Sequence, residues 1–142
     1  MQRWRVLDLK EAPVICIVDD DGWARSGLES LLLSRGYKTR AFESAERCVD
    51  SGAVHEADCL ITDLHMPGLN GLELQRVLRR DGHRIPIIFV TAYPNETHRA
   101  RAFQEGALGF LTKPYDEATL VDCLARATGG GTDGSGPPSP PS

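Results

Sequence analysis

The chain has 142 residues, of which 16 are basic and 20 acidic, for a net charge of −4. Its 41% apolar and 25% charged content is that of a soluble globular protein with length for a single domain and core. The acidic balance argues against direct nucleic-acid binding or a membrane-surface face, and no apolar run nears the roughly 20 residues of a bilayer span.

Residues 1–12 show no clear periodicity and read as an N-terminal extension. Arg3 and Arg5 are followed by no apolar stretch of the kind a secretory signal needs. The domain is expected over residues 13–128. Val14–Val18 is a continuous apolar run, as in a strand covered on both faces. Residues 22–35 put Ala24, Leu28, Leu31 and Leu32 at helical spacing, and Gly36 is a natural stop. Tyr37–Phe42 reads as a second strand, and Ser44 as the cap of a short helix ending near Asp50. Asp58–Thr62 is a third strand. Gly71–Arg80 is a helix with Leu74, Val77 and Leu78 on one face, stopped at Gly82. Ile85–Val90 is a fourth strand, with Pro86 tolerable near its start. Asn95 caps a helix to Glu105, and Leu108–Leu111 is a short fifth strand. Asp116 caps a last helix with Leu120, Val121, Leu124 and Ala125 on one face. Residues 129–142 are almost all Gly, Pro and Ser, too poor in apolar surface to offset their ordering entropy. They read as a disordered tail or a linker cut short.

Cys16, Cys48, Cys59 and Cys123 form no CxxC pair, and their spacing fits neither a zinc site nor a disulfide framework. They are expected to be reduced and structural, which points to a cytoplasmic protein.

Five strands alternating with five helices imply an α/β fold, a parallel sheet with helices on both faces. In such a sheet the C-terminal ends of all strands share one edge. Asp19, Asp20 and Asp21 follow the first strand and Asp63 the third. Thr91 follows the fourth, and Thr112-Lys113-Pro114 the fifth. Singly each is ordinary: Asp21 suits a turn or a helix cap. Together they bring carboxylates, a hydroxyl and a lysine to one edge. Clustered carboxylates repel unless a cation joins them, and all-oxygen ligation favours Mg2+. A carboxylate can be a nucleophile toward phosphorus, and phosphoryl transfer needs mainly positioning and charge neutralisation.

The pieces IVDD (17–20), TDLHMPGLNG (62–71), VTA (90–92) and FLTKP (110–114), in this order and spacing, resemble the receiver domain of two-component response regulators. The loop after the fourth strand is most similar to receivers of the nitrogen-fixation-regulator type, which usually precede a DNA-binding domain. The resemblance implies a doubly wound, flavodoxin-like receiver fold with strand order 2-1-3-4-5 and five flanking helices. Its switch point lies between strands 1 and 3, at Asp20 and Asp63. It implies that Asp63 accepts the phosphoryl group as an aspartyl phosphate. Asp19, Asp20, Asp63 and the backbone carbonyl of His65 would hold Mg2+. Thr91 and Lys113 would complete the catalytic set, with Thr91 and Phe110 forming the switch. The Lys113–Pro114 bond would be cis. His65 and Tyr93 would flank the path of the hydrolytic water, neither carries a carboxylate or amide to orient it, and Tyr93 is bulky enough to screen the phosphoryl group, so the phosphorylated state is expected to last minutes or more. Trp23, His83 and His98 are read as without function.

The implied function is a phosphorylation-controlled switch. It takes its phosphoryl group from a sensor histidine kinase or a phosphotransfer protein. It then alters the face made by helix 4, strand 5 and helix 5, acting on a partner or output domain. Arg99 and Arg101 opposite Asp116 and Glu117 suit a homodimer through that face. It is not expected to be an enzyme beyond its own phosphorylation and dephosphorylation. Two alternatives stand beside it. One is a phosphorylation-independent interaction module on the same fold. The other is a small phosphatase of the haloacid-dehalogenase kind with an Asp nucleophile in Asp19-Asp20-Asp21. Against the latter, Trp23 stands where a Thr or Val is needed, and no cap or late acidic pair is visible.

Overall fold

The computed structural model describes residues 12–129. The expected extension before residue 12 and the Gly/Pro/Ser segment after Gly129 lie outside the described residues. The five strands are β1 (Val14–Val18), β2 (Lys38–Phe42), β3 (Cys59–Asp63), β4 (Ile87–Thr91) and β5 (Gly109–Thr112). They pair in parallel in the order β2-β1-β3-β4-β5, as expected. The helices are α1 (Gly22–Ser34), α2 (Ala45–Ser51), α3 (Gly71–Arg80), α4 (Glu96–Gln104) and α5 (Glu117–Thr128).

Alternation along the strands divides the core in two. Ile15, Ile17, Cys59, Ile61, Ile88 and Val90 face α1 and α5, meeting Leu28, Leu32, Leu120 and Leu124. Cys16, Val18, Leu60, Ile87 and Phe89 face α2, α3 and α4, meeting Cys48, Leu72, Leu74, Leu78 and Ala102. Burial on both faces is why these strands are unbroken apolar runs. All four cysteines are free and buried, and burial pushes the Cys59 thiol up to about 12.

The strand boundaries move by a residue or two for physical reasons. Asp58 stays outside β3, because its exposed carboxylate accepts the Val14 backbone N–H (2.9 Å). Pro86 precedes β4 and contributes only its carbonyl, which accepts from Leu60 N–H (2.9 Å), so its missing donor costs the sheet nothing. A 3-10 turn over Ala53–Glu56, too short to leave a periodic pattern, plugs Ala53 and Val54 into the core. The start of α3 is set by a capping box between Asn70 and Glu73.

The fourth helix is anchored lightly: Ala102 is its one buried residue. Two side chains of α3 reach across to carbonyls at its C-terminal end. Gln75 Nε2 donates to Ala102 O (3.0 Å) and Arg79 Nε to Glu105 O (3.0 Å). The Ala102 carbonyl also accepts from Ala107 N–H, and the buried Gln75 Oε1 has no partner among the described residues. An orphaned buried acceptor costs about as much as one hydrogen bond gains. Gln75→Met is therefore expected to leave stability within about 1 kcal/mol of the parent or to raise it. Chemical denaturation checks this, and a loss above about 2 kcal/mol would show that the bond to Ala102 dominates.

Candidate functional site

The site lies on the C-terminal edge of the sheet, over β1, β3, β4 and β5. Parallel pairing sets Asp63 beside Val90 and Thr91 beside Thr112. The register continues one step, with Lys113 N–H donating to Thr91 O (2.8 Å). The Lys113–Pro114 peptide that follows is cis.

The Lys113 ammonium donates to Asp19 Oδ2 (2.9 Å) and to Asp63 Oδ2 (3.0 Å). Each carboxylate spends its other oxygen on a backbone donor. Asp19 Oδ1 accepts from Asp21 N–H (2.9 Å) and Asp63 Oδ1 from His65 N–H (3.1 Å). Both are buried, at 4% and 9% exposure, whereas Asp20 is exposed. Burial pushes the Asp19 carboxyl above its usual range, aided by the Asp63 charge and opposed by Asp21 N–H and Lys113. Burial alone would lower the Lys113 ammonium, but the two carboxylates outweigh it and hold it above its ordinary value.

Oxygens of Asp19, Asp20 and Asp63 lie within 4.8 Å of one another. Three carboxylates against one ammonium leave two uncompensated negative charges, the charge of one divalent cation. An all-oxygen set of this size, open through Asp20, fits Mg2+ with several waters retained. Asp21 is not part of the cluster: its carboxylate caps α1, accepting from Trp23 and Ala24 N–H.

Thr91 is fully buried, and its hydroxyl accepts the Tyr93 N–H (3.1 Å). Phe110 is half-buried, with its ring centroid 6.1 Å from that of Phe89. The ring of Tyr93 stands out in solvent at 75% exposure, so it does not cover the site as a bulky side chain there could. Its backbone carbonyl instead meets His65 Nε2 (3.4 Å).

Residues missed in the sequence hold the β3–α3 loop. Glu46 of α2 accepts the Leu69 N–H (2.8 Å), a bond that holds its carboxyl below the ordinary value. Gly68 (φ +75°) crosses close above, and a Cβ there would collide with that carboxylate. At Gly71 a Cβ would stand 2.5 Å from the Asp63 carbonyl oxygen, so only glycine lets α3 start against the acidic strand end. Both glycines were visible in the motif at 62–71, but Glu46 lies in another segment and left no local signal. His98, also set aside, lies against His65 with ring centroids 5.7 Å apart.

A family profile described as the response regulator receiver domain matches residues 15–125. The chain is 36% identical over 116 residues to the transcriptional regulatory protein TdiR of Thauera aromatica, covering 82% of this chain and 51% of that protein. It is 31% identical over 121 residues to the transcriptional regulatory protein FixJ of Azorhizobium caulinodans, covering 85% and 57%. The chain spans about half the length of these relatives. The crystal structure of FixJ-N superposes with a TM-score of 0.75 at 28% identity, covering 87% of this chain and 98% of that one.

The bridging ammonium generates a prediction. In metal-free buffer Lys113→Met leaves two buried carboxylates facing each other and should cost about 1–3 kcal/mol of stability. Millimolar Mg2+ should restore most of it. Because Lys113 is raised in the folded state, its contribution is fully present below pH 10.5 and is lost as the pH rises through the higher folded value. Thermal melts of both proteins across pH, with and without Mg2+, check this. Equal melting temperatures at neutral pH without metal would refute it.

Proposed function

The chain belongs to the response regulator receiver domain family of two-component systems, and from that premise we propose that it is a phosphorylation-controlled switch with Asp63 as the phosphoacceptor. The observation that carries the reading is the Asp19–Lys113–Asp63 bridge beside Asp20, at the strand ends where the fold places its site.

A carboxylate oxygen of Asp63 attacks the phosphorus of a phosphohistidine on a sensor kinase or phosphotransfer protein. The P–N bond breaks as the new P–O bond forms, and the leaving imidazole takes up a proton. Bound Mg2+, held by Asp19, Asp20, Asp63 and the His65 carbonyl, would neutralise charge on the transferring group. Lys113 already binds an Asp63 oxygen, so it stands ready to pair with the added phosphoryl charge. The buried Thr91 hydroxyl now accepts from Tyr93 N–H. A rotation about the Thr91 Cα–Cβ bond that carries the hydroxyl to a phosphoryl oxygen gives up that contact and loosens the loop after β4. Phe110, half-buried beside Phe89, then packs into the vacated space. This alters the face of α4, β5 and α5, where Arg99, Phe110 and Thr112 line one shallow groove.

We read the chain as no enzyme beyond its own phosphorylation and dephosphorylation. The named relatives are transcriptional regulators about twice the matched length, which supports a role upstream of a transcriptional output.

Asp63→Asn should abolish labelling by acetyl phosphate, since an amide is not a nucleophile, and chelation of Mg2+ should do the same to the parent protein. Intact-mass measurement checks both, and a full-level mass shift in the variant would move the acceptor elsewhere. Beryllofluoride with Mg2+, mimicking the phosphoryl group, should raise the weight-average mass in sedimentation through the α4–β5–α5 face. Arg101→Glu should reverse that rise. Identical sedimentation with and without the mimic would exclude the dimer while leaving a heterologous partner.

A further inference from the structure

The loop between β4 and α4, residues 92–95, leaves the strand end that carries Thr91 and is held at Tyr93 from two sides. Thr91 Oγ1 accepts the Tyr93 N–H (3.1 Å), and His65 Nε2 approaches the Tyr93 carbonyl (3.4 Å). A carbonyl only accepts, so His65 Nε2 carries the proton and donates. The His65 side chain is itself exposed and needs something behind it to keep this orientation.

That support comes from α4. The His98 ring stands 5.7 Å from the His65 ring at an interplanar angle of 60°. Two imidazoles joined by an N–H···N bond of about 3 Å would have centroids about 5 Å apart, so this contact is ring against ring rather than a direct bond. Of residues 96–101, His98 is the most buried, while Glu96 and Arg99 border the groove with Phe110 and Thr112 of β5. The His98 backbone N–H is fixed by the Asn95 side chain (3.0 Å). His98 Nδ1 is buried and has no partner among the described residues. Burying an imidazole nitrogen without a partner is costly. The placement therefore gains nothing from that atom and rests on the ring's contacts. No third ligating side chain joins the pair among the described residues, which argues against a metal site of its own.

We propose that His98 is a positioning residue, which holds the His65 imidazole against the Tyr93 carbonyl and so ties the β4–α4 loop to the loop that follows Asp63. The inference rests on the reading of Asp63 as the phosphoacceptor. When Thr91 rotates to carry its hydroxyl to a phosphoryl oxygen, it releases Tyr93 N–H. His65, backed by His98, is then the remaining polar tether of the loop. With the loop in place the in-line approach of water to the phosphorus is hindered, and the phosphorylated state is long-lived.

The test uses the full chain, labelled with acetyl phosphate and Mg2+, with loss of label followed by intact mass. His98→Ala and His65→Ala should each speed the loss by about threefold or more, and the double variant should decay no faster than the faster single one. His98→Phe keeps a ring against His65 and should restore slow decay. Melting temperatures should stay near that of the parent throughout. In the unphosphorylated protein, His98→Ala should also shift the imidazole proton and nitrogen resonances of His65. Parent-like decay in His98→Ala, accelerations that multiply in the double variant, or unmoved His65 resonances would each overturn the assignment. A parent chain that takes no label would refute the phosphoacceptor reading and the slowed hydrolysis with it, whereas the resonance shift would still report the His98–His65 support.

Discussion

An ammonium held 2.9 Å from one buried carboxylate and 3.0 Å from another is the interaction around which this sheet edge is organised. Buried carboxylates call for a counter-charge, and Lys113 serves both Asp19 and Asp63. The bridge spans β1, β3 and the end of β5, so it requires the strand order 2-1-3-4-5 to bring residues 94 and 50 positions apart together. It also leaves the cluster short of positive charge. A site with a deficit of two charges and open oxygen ligands suits a divalent cation.

Around that bridge the backbone is set more tightly than the side chains. The β3–α3 loop is pinned by Glu46 at Leu69 and turned at Gly68. At Gly71 the chain passes so close to the Asp63 carbonyl that no side chain fits. These constraints fix the acidic strand end in place, which favours charge stabilisation by groups that need not reorganise. The region after β4 is different. There Thr91 holds Tyr93 by one hydrogen bond and His65 by its Nε2 and an edge-on ring contact, and α4 buries a single residue. A tightly set acidic strand end thus stands beside a lightly held loop and helix, whose rearrangement would cost little.

Much of this was legible in the chain itself. Continuous apolar runs at residues 14–18 and 59–62 reported strands buried on both faces. The caps at Ser44 and Asn95 marked helix starts, whereas Asp116 stands at the cap position of α5 without a side-chain cap bond, and the order of the acidic, Thr and Lys-Pro pieces pointed to one edge and one family. These signals are local, because strand burial, helix period and capping depend on residues a few positions apart. The limits of β3 and β4 were less legible, because Asp58 and Pro86 take part through a side-chain oxygen and a lone carbonyl that no propensity reports.

What only the tertiary structure decided is the set of contacts between distant segments. Glu46 on the β3–α3 loop, Gln75 and Arg79 on the carbonyls of α4, and His98 behind His65 each join elements separated by 23 or more residues. Nothing in the local pattern distinguishes such a side chain from a solvated one. Its role depends on where packing brings the second element, and that is settled by the docking of whole helices on the sheet. The sequence by itself therefore determined the fold class, the strand order through its family, and the residues at the strand ends. The structure determined how Lys113 divides its charge between two carboxylates, and which outer residues hold the loops around them.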